Sequence, residues 1–258
     1  MIFAGLALAQ RIEAAEAAIA RACAEREPGA AILEACGGIA VFQGAESPLT
    51  QAVGLGLNGP VWEADLEAIE RFFRERGAPV TIELCPLAHP GLLDALARRK
   101  YRVTEFNNVV IRSLAGVEIT LTPRVRRALP GEGDLWSYTV GHGFFGQAEL
   151  TVAEMEVGRA IFSMPGALCY LAATETGESA GGGAMTVCGG LATLFADSTM
   201  PLFRRRGLHR ELIAARLREA ATLGCDLAAA SMLPGSGSQR NYERMGFRVA
   251  YTKVTMVE

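Results

Sequence analysis

Apolar residues along this chain change rhythm often enough to mark most of its elements. Phe3 to Glu25 is alanine-rich with a helical repeat. Ala30–Glu34 and Gly38–Gln43 read as strands joined at Ala35-Cys36-Gly37, and Thr50–Leu57 alternates as a third strand ended by Asn58-Gly59-Pro60. Glu63–Arg76 predicts an amphipathic helix with Leu66, Ile69, Phe72 and Phe73 on one side. Val80–Leu84 follows as a strand, Gly91–Lys100 as a helix, and Arg102–Leu114 as one long or bent strand. A second series starts near Ile119–Leu129. Asp134–Val140 and Thr151–Phe162 predict helices joined by Gly141-His142-Gly143-Phe144-Phe145-Gly146, which suits a mobile, partly apolar lid or else places both phenylalanines in the core. Ala167–Glu175, Gly181–Cys188 and Gly190–Ser198 read as strands. Leu208, Leu212, Ala215 and Leu217 then recur near helical spacing, and Asp226–Met232 is a further strand.

The two series share an order. Strand, proline (Pro86), helix and Lys100-Tyr101-Arg102-Val103 in the first match strand, Pro234, helix and Gly246-Phe247-Arg248-Val249 in the second. The glycine-to-aromatic interval is 24 positions (77 to 101) in one and 23 (224 to 247) in the other. This predicts two copies of one α/β unit, with domains at 1–115 and 116–258, or else an unrelated α+β domain in the first position.

Candidate chemistry sits at one junction. A buried-strand pattern leads into Thr199-Met200-Pro201-Leu202-Phe203-Arg204-Arg205-Arg206-Gly207-Leu208-His209-Arg210, and an amphipathic helix follows. The first turn of a helix has unpaired N–H groups and partial positive charge. Glycine admits close backbone approach, and arginine carries a forked donor suited to phosphate oxygens. Strand, basic loop and helix therefore make a pyrophosphate receptor, unless the run is a solvated basic helix start. The corresponding junction of the first series, Asn58 to Asp65, has no basic residue, and its carboxylates would repel such a ligand.

Arg204-x-x-Gly207 followed downstream by Asn241-Tyr242-Glu243-Arg244-Met245-Gly246-Phe247 resembles the GCN5-related N-acetyltransferases (GNAT), clearly from about Arg124 to Glu258 and in topology before that. The family's loop reads Arg/Gln-x-x-Gly-x-Gly/Ala, so His209 departs from its small last residue. The resemblance implies tandem GNAT-like α/β domains, each a twisted, mostly antiparallel sheet flanked by helices. The first would be degenerate, and the second would use acetyl-CoA, without a metal, to acetylate a primary amine on a small molecule or peptide. It assigns cofactor binding to Thr199, Met200, Arg204, Arg205, Arg206, Gly207, Leu208, His209, Arg210 and Asn241, with a backbone N–H near Thr199 or Met200 on the thioester carbonyl. Tyr242 matches the acid that protonates the CoA sulfur, or simply packs; Asn241 holds the pantetheine arm or caps its helix. Asp197, on the face of Thr199, is the first candidate for the base, ahead of Glu175 and His142. A non-catalytic acyl-CoA-binding module is the alternative.

Composition fits this picture. Of the 258 residues, 50% are hydrophobic, enough for two cores, and the net charge of −3 argues against a nucleic-acid partner despite the Arg124-x-Arg126-Arg127 and Arg204–Arg206 clusters. Cys23, Cys36, Cys85, Cys169, Cys188 and Cys225 are scattered, as in a reducing cytoplasmic compartment. The apolar start lacks a basic leader and merges into the helix, so neither a signal peptide nor a membrane partner is expected.

Overall fold

The computed structural model describes residues 4–116, 123–147 and 149–258. The expected start of the second series at Ile119 falls partly outside them, as does the first residue of the expected N-terminal helix. The chain forms two compact units, residues up to 109 with 249–258, and residues 110–248. The break therefore lies at 109/110, where the sequence reading placed it at 115/116, and the last ten residues belong to the first unit.

The first unit contains α1 (Leu6–Ala24), β1 (Ala31–Ala35), β2 (Gly38–Phe42), β3 (Gln51–Val53), α2 (Glu63–Arg74), β4 (Thr81–Leu84), α3 (Pro90–Arg98), β5 (Arg102–Ser113) as far as Val109, and β11 (Arg248–Val257) from Val249. Its strands run in the order β1-β2-β3-β4-β11-β5. Leu66, Ile69, Phe72 and Phe73 of α2 are buried against Ile82, Leu92 and Leu96, as their helical spacing predicts. β3 is shorter than the expected strand Thr50–Leu57. Beyond Val53 the backbone leaves the ladder, and Gly56 bonds instead to Cys36 O through its N–H and to the His89 N–H through its carbonyl.

A charged cluster lies inside this unit. Lys253 of β11 is buried between Glu16 of α1 and Glu83 of β4, with its Nζ 3.2 Å from Glu83 Oε2. Tyr251 donates to Glu13 Oε1 at 2.7 Å, and Thr255 donates to Glu83 Oε1 at 2.6 Å. Burial, opposed by Lys253 and reinforced by Glu16, pushes the Glu13 carboxyl up to about 7 from an ordinary 4.5. The folded chain thus holds a proton that the unfolded chain releases. This stabilisation is complete below pH 4.5 and is lost as pH rises through 7, a span of about 3 kcal/mol. Glu13→Gln is expected to flatten this pH dependence, which denaturant midpoints between pH 5 and 8 would report. An unchanged slope would place the proton elsewhere.

The second unit takes β5 from Val110, then β6 (Val125–Arg127), α4 (Gly133–Phe145), α5 (Val152–Ser163), β7 (Leu168–Ala173), β8 (Ser179–Cys188), β9 (Leu191–Thr199), α6 (Leu208–Thr222), β10 (Leu227–Met232) and α7 (Gly237–Arg244). Its strand order is β5-β10-β9-β8-β7-β6, with β9 and β10 parallel and β6 to β9 successively antiparallel. Thr151 caps α5 in a reciprocal pair with Glu154. The expected Gly141–Gly146 lid is instead the last turn and a half of α4. Gly141 and Gly143 serve packing: a Cβ on Gly141 would lie 2.6 Å from Leu150 Cδ1, and one on Gly143 would lie 2.4 Å from Ser198 Oγ. Phe144 and Phe145 are exposed and so are not core residues.

Candidate active site

Two irregularities in β9 open the second unit. The parallel register with β10 runs from Leu191↔Leu227 to Leu194↔Ala230 and stops, although β9 continues to Thr199. On its other edge β9 carries a bulge. Gly182 pairs with Ser198 and Ala184 with Phe195, so Gly183 alone faces both Ala196 and Asp197, and Ala196 adopts φ 54°. Beyond the bulge, Thr199 pairs with Gly181, and the Met200 N–H donates to Ala180 O at 2.9 Å. Donors alternate along an antiparallel strand, so the Thr199 N–H points to the opposite edge, the one that β10 has left. Of the two backbone donors expected here, Met200 is occupied within the sheet and Thr199 faces the gap.

The basic loop follows. Arg204 is folded inward: Nε donates to Thr199 O at 3.1 Å and Nη2 to Gly143 O at 2.8 Å, tying the end of β9 to the end of α4. Arg206 lies over the Phe203 ring. Arg205 at φ 65° and Gly207 at φ 85° wind the backbone into α6. The first helical bonds run from Arg210 and Glu211 back to Gly207, so the N–H groups of Arg205 to His209 find no acceptor among the described residues. They border a cleft of about 380 Å³ walled by Thr199, Arg205, Arg210, Arg240, Asn241 and Arg244, with Phe203, Gly207, Leu208, His209 and Gly237 completing it. Among the described residues, four arginines and no carboxylate line this cleft.

Beneath it lies a closed polar network. Arg216 of α6 is fully buried; Nε donates to Leu212 O at 3.0 Å, Nη1 to Ala184 O at 2.9 Å and Phe195 O at 3.5 Å, and Nη2 is paired with Asp197 Oδ1. The other oxygen of Asp197 accepts the Tyr242 hydroxyl. Asn241 Nδ2 lies 2.9 Å from His209 Nδ1, making Nδ1 the acceptor and leaving the ring proton on Nε2, 3.7 Å from Asp197 Oδ2. Burial pushes the Asp197 carboxyl up, but Arg216, His209 and Tyr242 outweigh it and hold it below the ordinary range. Burial first, and then the Asp197 charge, raise the Tyr242 phenol well above 10. Asp197, the first candidate for the base, is thus enclosed between the Arg216 guanidinium and the Tyr242 hydroxyl.

Neither a protein-family model nor a curated relative matches the sequence. Among solved structures, a GCN5-related N-acetyltransferase from Kribbella flavida superposes with a TM-score of 0.71 at 19% identity, covering 96% of this chain and 95% of that one. A tandem GNAT protein from the clavulanic acid biosynthesis pathway gives 0.65 at 14% identity, with coverage of 99% and 94%. An N-acetyltransferase of the same kind from Sphaerobacter thermophilus gives 0.58 at 16%, covering 89% and 75%. The chain has the tandem GNAT fold.

Within that fold the expected cofactor residues divide. Thr199, Arg205, Gly207, Leu208, His209, Arg210 and Asn241 line the cleft, whereas Arg204 and Arg206 turn to the chain's own carbonyls and Met200 is held by β8. Arg240 and Arg244 went unnoticed in the sequence; their spacing of four on α7 was the available signal. Gly246, at φ 83°, ends α7 with the Phe247 N–H returning to Tyr242 O at 3.1 Å, which accounts for the glycine of the Tyr-x-x-x-Gly-Phe pattern. In the first unit the matching turn is filled by its own groups. Gln10 donates to Leu57 O and Asn58 Oδ1, and the Asp65 carboxylate accepts the Trp62 N–H in the first turn of α2. Among the described residues, no helix is long and apolar enough to cross a membrane.

Proposed function

We propose that the chain transfers the acetyl group of acetyl-CoA to a primary amine in its second unit, and that its first unit binds no CoA. The observation that carries this reading is the four-arginine, carboxylate-free cleft at the start of α6, beside a strand end whose N–H faces a gap in the sheet. Pyrophosphate oxygens accept from the loop N–H groups and from Arg205 and Arg210, while Arg240 and Arg244 supply charge to the remaining phosphate. The pantetheine arm runs past Asn241 towards Thr199, whose N–H receives the thioester carbonyl as negative charge develops on it. The amine attacks the carbonyl carbon; the C–N bond forms, the C–S bond breaks, and the proton that nitrogen loses is the one the sulfur requires. The acceptor is a small molecule or peptide, and the compartment is the cytoplasm.

Tyr242 serves this site by fixing Asp197 rather than by protonating sulfur, because its one proton is directed into the chain. Tyr242→Phe is accordingly expected to lower Tm while leaving turnover per folded molecule within about threefold. A true general acid would cost about a hundredfold or more. The function itself is tested by incubating acetyl-CoA with a panel of amines and following free thiol and acetamide together. Amine-dependent release of both is expected; tight CoA binding without turnover across the panel would leave a non-catalytic acyl-CoA-binding module.

A further inference from the structure

The network under the cleft has a feature that cofactor binding does not require. An arginine with no exposed surface lies beneath a strand bulge, and Gly183 in the neighbouring strand makes room for it. A Cβ on Gly183 would lie 2.6 Å from Asp197 Oδ1 and 2.9 Å from Arg216 Cζ. Arg216 reaches both sides of the irregular pairing: Nη1 bonds the carbonyls of Ala184 on β8 and Phe195 on β9, the last regular pair before the bulge, and Nη2 holds Asp197, the residue after the bulged Ala196.

We propose that Arg216 is the positioning residue for the carbonyl-binding donor. It sets the bulge by clamping Phe195 and Asp197 across Ala196, and the bulge sets which edge of β9 each later N–H faces. Removing the extra residue would slip the register by one, turning the Thr199 N–H into the β8 ladder and the Met200 N–H outward. The αL conformation of Ala196 costs free energy for a residue with a side chain, and it persists where the surroundings fix it. Here those surroundings are a guanidinium fork whose separate arms meet a carbonyl from each strand and a carboxylate, an arrangement that lysine cannot reproduce. Tyr242 completes the clamp from the far side of Asp197. Arg216 is not among the residues that line the cleft, so it acts through the backbone it holds.

The inference rests on the reading that Thr199 receives the thioester carbonyl, and the test separates the two. Bound [1-13C]acetyl-CoA is followed by difference infrared spectroscopy, with CoA affinity measured by calorimetry on the same samples. In the parent protein, binding is expected to move the carbonyl band to lower frequency. The double variant Arg216→Met/Asp197→Asn removes both buried charges together, so neither is left unpaired. It is expected to keep CoA affinity within about threefold, to lose the carbonyl shift and, with an acceptor, to lose kcat by about a hundredfold at little change in KM for acetyl-CoA. Arg216→Lys retains the charge without the fork and is expected to show a partial shift. A double variant with the parent shift would overturn the inference; if that variant does not fold, a full parent shift in Arg216→Lys overturns it. Absence of CoA binding in the parent would instead sink the proposed function, and CoA binding without a shift in the parent would remove Thr199 as the donor and Arg216's role with it.

Discussion

Gly207→Val is expected to weaken CoA binding by about thirtyfold or more, measured by calorimetry. Gly207 holds φ 85° at the entry to α6, a conformation that a β-branched residue adopts only with strain, on the order of 2 kcal/mol or more. The nearest atom to an added Cβ would be Glu211 Oε1 at 3.6 Å, so the protein itself leaves room. The loss therefore comes from a displaced backbone, whose N–H groups from Arg205 to His209 no longer converge. A valine variant that binds CoA like the parent would remove the phosphate-loop assignment.

The second large effect lies away from the cleft surface. Gly183→Ala places a methyl group against both members of the Asp197–Arg216 pair, at 2.6 and 2.9 Å. Neither can retreat without separating two enclosed charges or breaking the Arg216 bonds to Ala184 and Phe195. Overpacking of this kind costs about 1–3 kcal/mol, and partial separation of a buried pair adds to it. Stability of the second unit should fall by about 3 kcal/mol, read from denaturant unfolding. Gly131→Ala, where nothing lies within 4 Å and φ is ordinary, serves as control and should change little. Equal stability of the two variants would mean that the pair accommodates a side chain at 183.

Much of this was legible along the chain, and the parts that were not have physical reasons. The order of strand, basic loop, helix and Tyr242-x-x-x-Gly246-Phe247 located the cleft because helix starts and helix stops have short-range chemical signatures. The repeat also showed, because strand, proline, helix and aromatic recur in the same order at nearly the same spacing in both series. Arg216 stands among the charged residues of α6 in the sequence, although Leu208, Leu212 and Arg216 are four apart on one buried stripe of that helix. A buried arginine becomes visible only when its partner, Asp197 of β9, is brought against α6. The end of α4 was read as a loop for a similar reason. Gly141 and Gly143 look like helix breakers in isolation, but they are the small residues that let α4 approach Leu150 and Ser198. Asp197 was assigned to proton transfer from its position on the strand; the bulge that encloses it is a pairing between strands and has no local signature. β11 was read with the second series because it follows α7 in the chain, whereas its strand partner β4 is far away in sequence.

The most direct test of the account is calorimetric titration of the whole chain with CoA. It predicts one CoA per chain, held in the cleft of Arg205, Arg210, Arg240 and Arg244, with affinity reduced at least tenfold in Arg240→Ala/Arg244→Ala. A stoichiometry of two would show that the first unit, with Asp65 at the start of α2, binds a cofactor after all, and absence of binding or full affinity in the double variant would contradict the cleft itself.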